Sequence, residues 1–132
     1  MSAASFATLL HTFFTDRLLR QMRASSHTVA SYRDTFRLLL RYTTERLKRA
    51  PSKLSLEDID AALVIDFLDW LEVERRCTPR SRNNRLAALR SFFRHVSVDE
   101  AAHVLRSHRI LAIPQKRAQK RTIEFLRRDE IE

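Results

Sequence analysis

The chain has 132 residues, with 25 Lys and Arg against 16 Asp and Glu for a formal net charge of +9, one cysteine and no glycine. A single cysteine excludes an internal disulfide and a cysteine-built zinc site and fits a reducing compartment, while the lack of glycine excludes a glycine-rich phosphate loop and disfavours the tight turns of β architectures. No apolar run approaches the ~18 residues of a membrane span and the N-terminus lacks the basic start of a secretion signal, so a soluble, cytoplasmic, helical protein with one core is expected.

The predicted elements follow from hydrophobic spacing and stop signals. Ser5 to Met22 places Phe6, Leu9, Leu10, Phe13, Leu18 and Met22 at helical intervals, with Asp16, Arg17 and Arg20 off that stripe, which predicts a first helix. Ala24, Ser25 and Ser26 interrupt it. A second helix is predicted from about His27 to Lys48, with Val29, Tyr32, Phe36, Leu39, Leu40, Thr43 and Leu47 inward, and Pro51 ends it. Ser55 to Asp58 (SLED) reads as a capping box opening a third helix that reaches about Arg75 and buries Ile59, Leu63, Phe67, Trp70 and Leu71. Thr78 followed by Pro79 opens a fourth helix, running to about Val96 and burying Leu86, Leu89, Phe93 and Val96. A short fifth helix is predicted from Val98 or Asp99 to about Ser107, with Ala102 and Leu105 as its apolar residues. Ile110 to Pro114 reads as an extended linker, and the run Gln115 to Arg121 carries Lys116, Arg117, Lys120 and Arg121.

Charge is segregated along the chain. Seven acids (Glu57, Asp58, Asp60, Asp66, Asp69, Glu72, Glu74) occupy a stretch without Lys or Arg, and seven arginines (Arg75, Arg76, Arg80, Arg82, Arg85, Arg90, Arg94) follow without an acid. Solubility needs only interspersed signs, and like charges clustered on a helix repel, so the pattern points to a polyanion, with nucleic acid first among partners. On the second helix Arg33, Arg37 and Arg41 recur every four residues, away from the apolar seam. The first two turns of the fourth helix hold Thr78, Arg80, Ser81, Arg82, Asn83, Asn84 and Arg85, a donor and acceptor set suited to base edges and phosphates. The small residues Ala87, Ala88 and Ser91 are expected further along its outward side, letting the backbone approach a groove. The bland alternatives are solvated arginines and capping asparagines.

Other chemistry finds little support. His11, His27, His95, His103 and His108 have no metal-ligand spacing, and Tyr32, Tyr42 and Trp70 sit at core-like positions. No metal and no cofactor is expected.

Three stretches, Ser26 to Tyr32 (SHTVASY), Arg33 to Phe36 (RDTF) and above all Arg80 to Phe93 (RSRNNRLAALRSFF), carry a resemblance to a known family. The chain resembles the N-terminal core-binding, SAM-like domain of tyrosine recombinases and phage integrases, with Ser81 standing where threonine is commoner. The resemblance implies an all-α orthogonal four-helix bundle plus a short fifth helix, whose second and fourth helices enter neighbouring major grooves of double-stranded DNA at a recombination site. It implies a core-binding domain over residues 1–108, then a basic linker and the first residues of an absent catalytic domain over 109–132. The expected DNA-binding set is Thr28, Ser31, Arg33, Arg37, Arg41, Arg80, Ser81, Asn83, Asn84, Arg85, Ala88 and Ser91, together with Lys116, Arg117, Lys120 and Arg121. Catalytic residues are expected to be absent from this chain, the parent recombinase forming a 3′-phosphotyrosyl intermediate through its other domain. Further protomers on the same site, no membrane and a bacterial nucleoid setting complete the expectation. The competing reading is a helical protein-interaction module whose basic face meets an acidic partner.

Overall fold

The computed structural model describes residues 5–99 and 104–116, the side chains of 98 and 99 excepted. Helix α1 (Phe6–Thr12) passes directly into a π-helical stretch (Phe13–Gln21) and is followed by α2 (Ser26–Leu47). Single 3-10 turns at Pro51–Lys53 and Leu56–Asp58 lead to α3 (Ala61–Val73), α4 (Pro79–Asp99) and α5 (Val104–Leu111). The fold is all-α, the class expected from the sequence, and the described residues contain no strand. An isolated bridge between Ser5 and Ser55, beside which the Phe6 N–H donates to the Leu54 carbonyl at 3.3 Å, fastens the start of α1 to the α2–α3 connection.

Aromatic rings organise the core. Phe92 of α4 stands edge-on to Phe6, Phe13 and Phe36, with centroids 5.6, 5.5 and 5.3 Å away, and so joins α1, the π-helical stretch and α2 to α4. Each such pair adds about 0.5–1.5 kcal/mol beyond the area buried. A second group, Tyr42, Phe67 and Trp70, closes the far end of α2 against α3. Helix α4 packs against α2, α3, α5 and the π-helical stretch. Its buried arc is accordingly wide, taking in Leu86, Ala88, Leu89, Phe92, Phe93 and Val96, whereas the sequence pattern marked Phe93 and not Phe92.

Several expectations are corrected. Met22 does not join the apolar stripe and is 48% exposed. The widened turns of Phe13–Gln21, where the Met22 N–H reaches back to the Arg17 carbonyl, shift side chains away from ordinary helical spacing. The capping box at Ser55 and Asp58 forms, with the Ser55 N–H donating to Asp58 Oδ2 at 2.9 Å, but it closes a single 3-10 turn. Helix α3 starts only at Ala61, capped by Asp60, which accepts from the Leu63 N–H at 2.8 Å. Helix α5 continues to Leu111, and Ile110 and Ile113 are buried where an extended linker was expected; Leu105 is 64% exposed instead of apolar anchor, and Ala102 lies outside the described residues. Thr78 and Pro79 start α4 as expected, the Ser81 N–H donating to Thr78 Oγ1 at 3.1 Å.

Without glycine, the chain stops helices on cations. Arg23, Lys48 and Arg76 each adopt a left-handed conformation, with φ of 48°, 54° and 52°. Each lies at or just past a helix C-terminus, Lys48 being the C-cap of α2. The left-handed geometry costs a residue with a Cβ about 1 kcal/mol, partly offset by a positive charge at the negative end of the helix dipole.

Candidate nucleic-acid interface

The outward face of α4 is a single stripe. Arg80, Asn84 and Arg94 are exposed and Ala87 and Ser91 partly so, a spacing of four, three, four and three residues that keeps all five on one side of a helix. The stripe has cations at its ends, an amide near its start and small side chains in the middle. Helix α2 exposes Arg33, Arg37 and Arg41; Arg41 lies 3.6 Å from Glu45 in a solvent-exposed pair. Among the described residues, none of Arg33, Arg37, Arg80 and Arg94 is paired with an acid.

Arg85 brings these two faces side by side. Its guanidinium donates to the Ser31 carbonyl at 3.3 Å, to Thr35 Oγ1 at 3.1 Å and to Asp34 Oδ2 at 2.8 Å. Thr35 is fully buried, the Arg85 side chain is 22% exposed, and Asp34 is 55% exposed next to the arginine stripe of α2. Arg85 thus acts as the tether that sets α4 against α2. Thr28 and Ser31, both partly exposed, stand in the first turns of α2, where Ser25 caps the helix through the Thr28 N–H at 3.1 Å and donates to Thr28 Oγ1 at 3.0 Å.

Ala88 is a correction: it is 0% exposed in the core, because α4 turns that side toward its neighbours, and it cannot touch a ligand. Ala87, one residue earlier, takes the outward position. Asn83 also leaves the outward stripe, facing instead the segment after α5, with its Nδ2 donating to the Lys116 carbonyl at 2.7 Å and its Oδ1 accepting from the Lys116 N–H at 2.9 Å. Ser81 is partly exposed beside Cys77 and Arg85 in a small cleft between α2 and the start of α4. Lys116 extends its ammonium to Glu72 at 2.6 Å, and Arg117, Lys120 and Arg121 lie outside the described residues.

Part of the acidic stretch is paired within the fold, while Glu57 and Glu74 are exposed. Asp58 pairs with Arg49 at 2.8 Å, Asp66 with Arg46 at 2.6 Å, and Glu72 with Arg82 at 2.7 Å as well as with Lys116. Arg82, only 8% exposed, is the α4 arginine that faces α3, and Asp69 stands 3.9 Å from it. Four cations, Arg46, Arg49, Arg82 and Lys116, are thereby neutralised, and none of them belongs to the Arg80 to Arg94 stripe. Asp66 and the Tyr42 hydroxyl both accept from Arg46 and hold its pKa above the usual value. Burial pushes the Cys77 thiol up, against the opposing pull of Arg85. These internal pairings were not legible in the sequence, because the acids and their partners lie up to 44 residues apart.

Among the described residues no group of three or more His, Cys, Asp or Glu side chains could hold a metal ion, and no helix is long and apolar enough to cross a membrane. Residues 12–97 match the family described as phage integrase, N-terminal SAM-like domain. Two Sinorhizobium fredii proteins with the provisional names integrase/recombinase y4rC and integrase/recombinase y4rD are similar over nearly the whole chain. The first is 47% identical over 98% of the chain and the second 42% identical over 96%. The chain covers 39% and 45% of their respective lengths, so it spans well under half of each of these relatives. No solved structure shows a significant match.

Proposed function

The chain belongs to the phage integrase N-terminal SAM-like domain family, and from that premise we propose that it binds double-stranded DNA at a recombination site as part of a tyrosine recombinase. One observation carries the reading. The Arg80, Asn84, Ala87, Ser91, Arg94 stripe of α4 stands beside the Arg33 and Arg37 stripe of α2, with no acid among the described residues paired to these four arginines, while the acids of α3 are occupied elsewhere. Arg33, Arg37, Arg80 and Arg94 supply charge for phosphates, Asn84 and Arg80 can read base edges, and Ala87 and Ser91 allow close approach to a groove about 12 Å wide. Thr28, Ser31, Arg41 and Ser81 lie at the margins of this surface and add phosphate contacts.

Strand cleavage belongs, in this proposal, to a catalytic domain of the parent recombinase rather than to the residues described. Tyr42 packs on Phe67 and Trp70 and accepts from Arg46 at 2.7 Å, an occupied side chain and not a poised nucleophile. The same proposal extends to further recombinase protomers on the same DNA and to a bacterial cytoplasmic, nucleoid-associated setting, readings that the family supports. The division into a core-binding domain and a basic linker also remains a proposal, with packing observed as far as Ile113.

The test is a salt titration of duplex binding. Neutralising ~5 to 8 phosphates gives a log–log slope of about −4.5 to −7. Undetectable affinity for any duplex at low salt would return the cationic face to the alternative, an acidic protein partner.

A further inference from the structure

We infer that Asp34 is a specificity-determining residue of the duplex surface: held by Arg85 between the arginine row of α2 and the start of α4, its carboxylate selects the exocyclic amine of a cytosine and turns phosphates away. This rests on the duplex-binding reading above and names one base that the surface prefers. Asp34 follows Arg33 directly and stands about one helical turn before Arg37. Its side chain is 55% exposed and lines a cleft of about 260 Å³ with Leu38 of α2, Arg75 beyond the end of α3, and Ser81 and Arg85 of α4. Asp34 Oδ2 accepts from Arg85 Nη2 at 2.8 Å, whereas Oδ1 has no hydrogen-bond partner among the described residues.

Arg85 gains little from this carboxylate. Its guanidinium already reaches the Ser31 carbonyl and Thr35 Oγ1 inside the fold, and an ion pair this exposed contributes weakly. The larger effect falls on Asp34, which has one oxygen fixed and the other left as an oriented acceptor beside two arginines that pair with no acid among the described residues. Toward a polyanion such a group is a cost: a phosphate roughly 8 Å from it is held about twofold less tightly. Only a donor on the duplex reverses that sign. In the major groove the donors are the N4 amine of cytosine and the N6 amine of adenine, while guanine and thymine present acceptors that repel a carboxylate. Adenine also sets its N7 acceptor next to the amine, so cytosine is the base that a single carboxylate oxygen favours. Asn84, exposed on α4 and carrying both a donor and an acceptor, suits adenine instead, so the two helices read different bases.

The experiment selects duplexes from a pool of randomised base pairs with the full chain, Asp34→Ala, Asp34→Asn and, as reference, Asn84→Ala. The unaltered chain should enrich cytosine at one position about fivefold over the other bases. Asp34→Ala should lose that preference alone and bind unselected duplex about twofold more tightly. Asp34→Asn keeps an oxygen for Arg85 and turns an amine outward, so the preference at the same position should pass to guanine, whose N7 and O6 accept. Asn84→Ala should leave the cytosine preference in place. Because Asp34→Asn preserves the bond to Arg85, it decides the matter even where Asp34→Ala loses stability. Unchanged base preferences in both Asp34 variants would overturn the inference whatever happens to overall affinity, and so would a duplex-binding chain that enriches no cytosine. A chain that binds no duplex at low salt would defeat the duplex-binding reading itself, and the role of Asp34 with it.

Discussion

Replacing Arg85 with alanine separates a structural tether from a phosphate contact. Arg85→Ala removes two hydrogen bonds to buried or backbone acceptors of α2 and one ion pair with Asp34. The two internal bonds contribute about 1 kcal/mol each, and the half-exposed Asp34 pair adds only about 0.5 kcal/mol after solvent screening. Loss of the packed aliphatic stem brings the expected destabilisation to about 2–3 kcal/mol, or on the order of 10 °C in melting temperature. Urea unfolding followed by circular dichroism should show the midpoint falling with an unchanged slope, which locates the change in the folded state. Arg85→Lys should recover little, since an ammonium cannot reproduce the fork that spans Ser31, Thr35 and Asp34. The tether reading is wrong if Arg85→Ala is within about 0.5 kcal/mol of the unaltered chain yet weakens binding to every duplex, because that is the signature of an arginine spent on phosphate.

The neighbouring residues should behave differently. Asn84→Ala should cost about 1–3 kcal/mol on the recombination site and little on random DNA, while Arg37→Ala should weaken both equally and lower the salt slope by about 1; equal loss for Asn84→Ala on both DNAs would reassign Asn84 to positioning. Lys48→Gly should stabilise the chain by about 0.5–1 kcal/mol by relieving the left-handed C-cap of α2, and a drop in melting temperature would show that the lysine charge outweighs the backbone strain. Cys77 should alkylate more slowly than a free thiol at neutral pH, with the rate still climbing past the ordinary value of about 8.5. Since the folded chain holds that proton more tightly than the unfolded chain, folding stability should decline as pH rises through the thiol range; a rate plateau below pH 8.5 would contradict the burial of Cys77.

Much of the architecture is written in local chemistry. Helical periodicity, the Thr78 and Pro79 start of α4 and the absence of glycine specify an all-α chain, and the four-residue recurrence of Arg33, Arg37 and Arg41 places three cations on one exposed side of α2. Such signals survive because each depends only on residues within a turn or two of one another. Where local geometry departs from the ordinary helix, the same reading fails: the π-helical turns expel Met22, and Ile59 interrupts the capping-box start so that α3 begins at Ala61.

What tertiary structure alone decides is which of many equivalent polar side chains are left over for a ligand. Arg80, Arg82 and Arg85 are alike in sequence, yet Arg82 is taken by Glu72 and Arg85 by Asp34 and Thr35, whereas Arg80 is exposed and pairs with no acid among the described residues. Asn83 and Asn84 are adjacent and identical, but one is claimed by the Lys116 backbone and the other is exposed. Composition and periodicity determine a basic helical bundle with an arginine-rich fourth helix. The selection among its arginines and asparagines comes from partners tens of residues away, whose proximity is a property of packing and leaves no local periodicity to read.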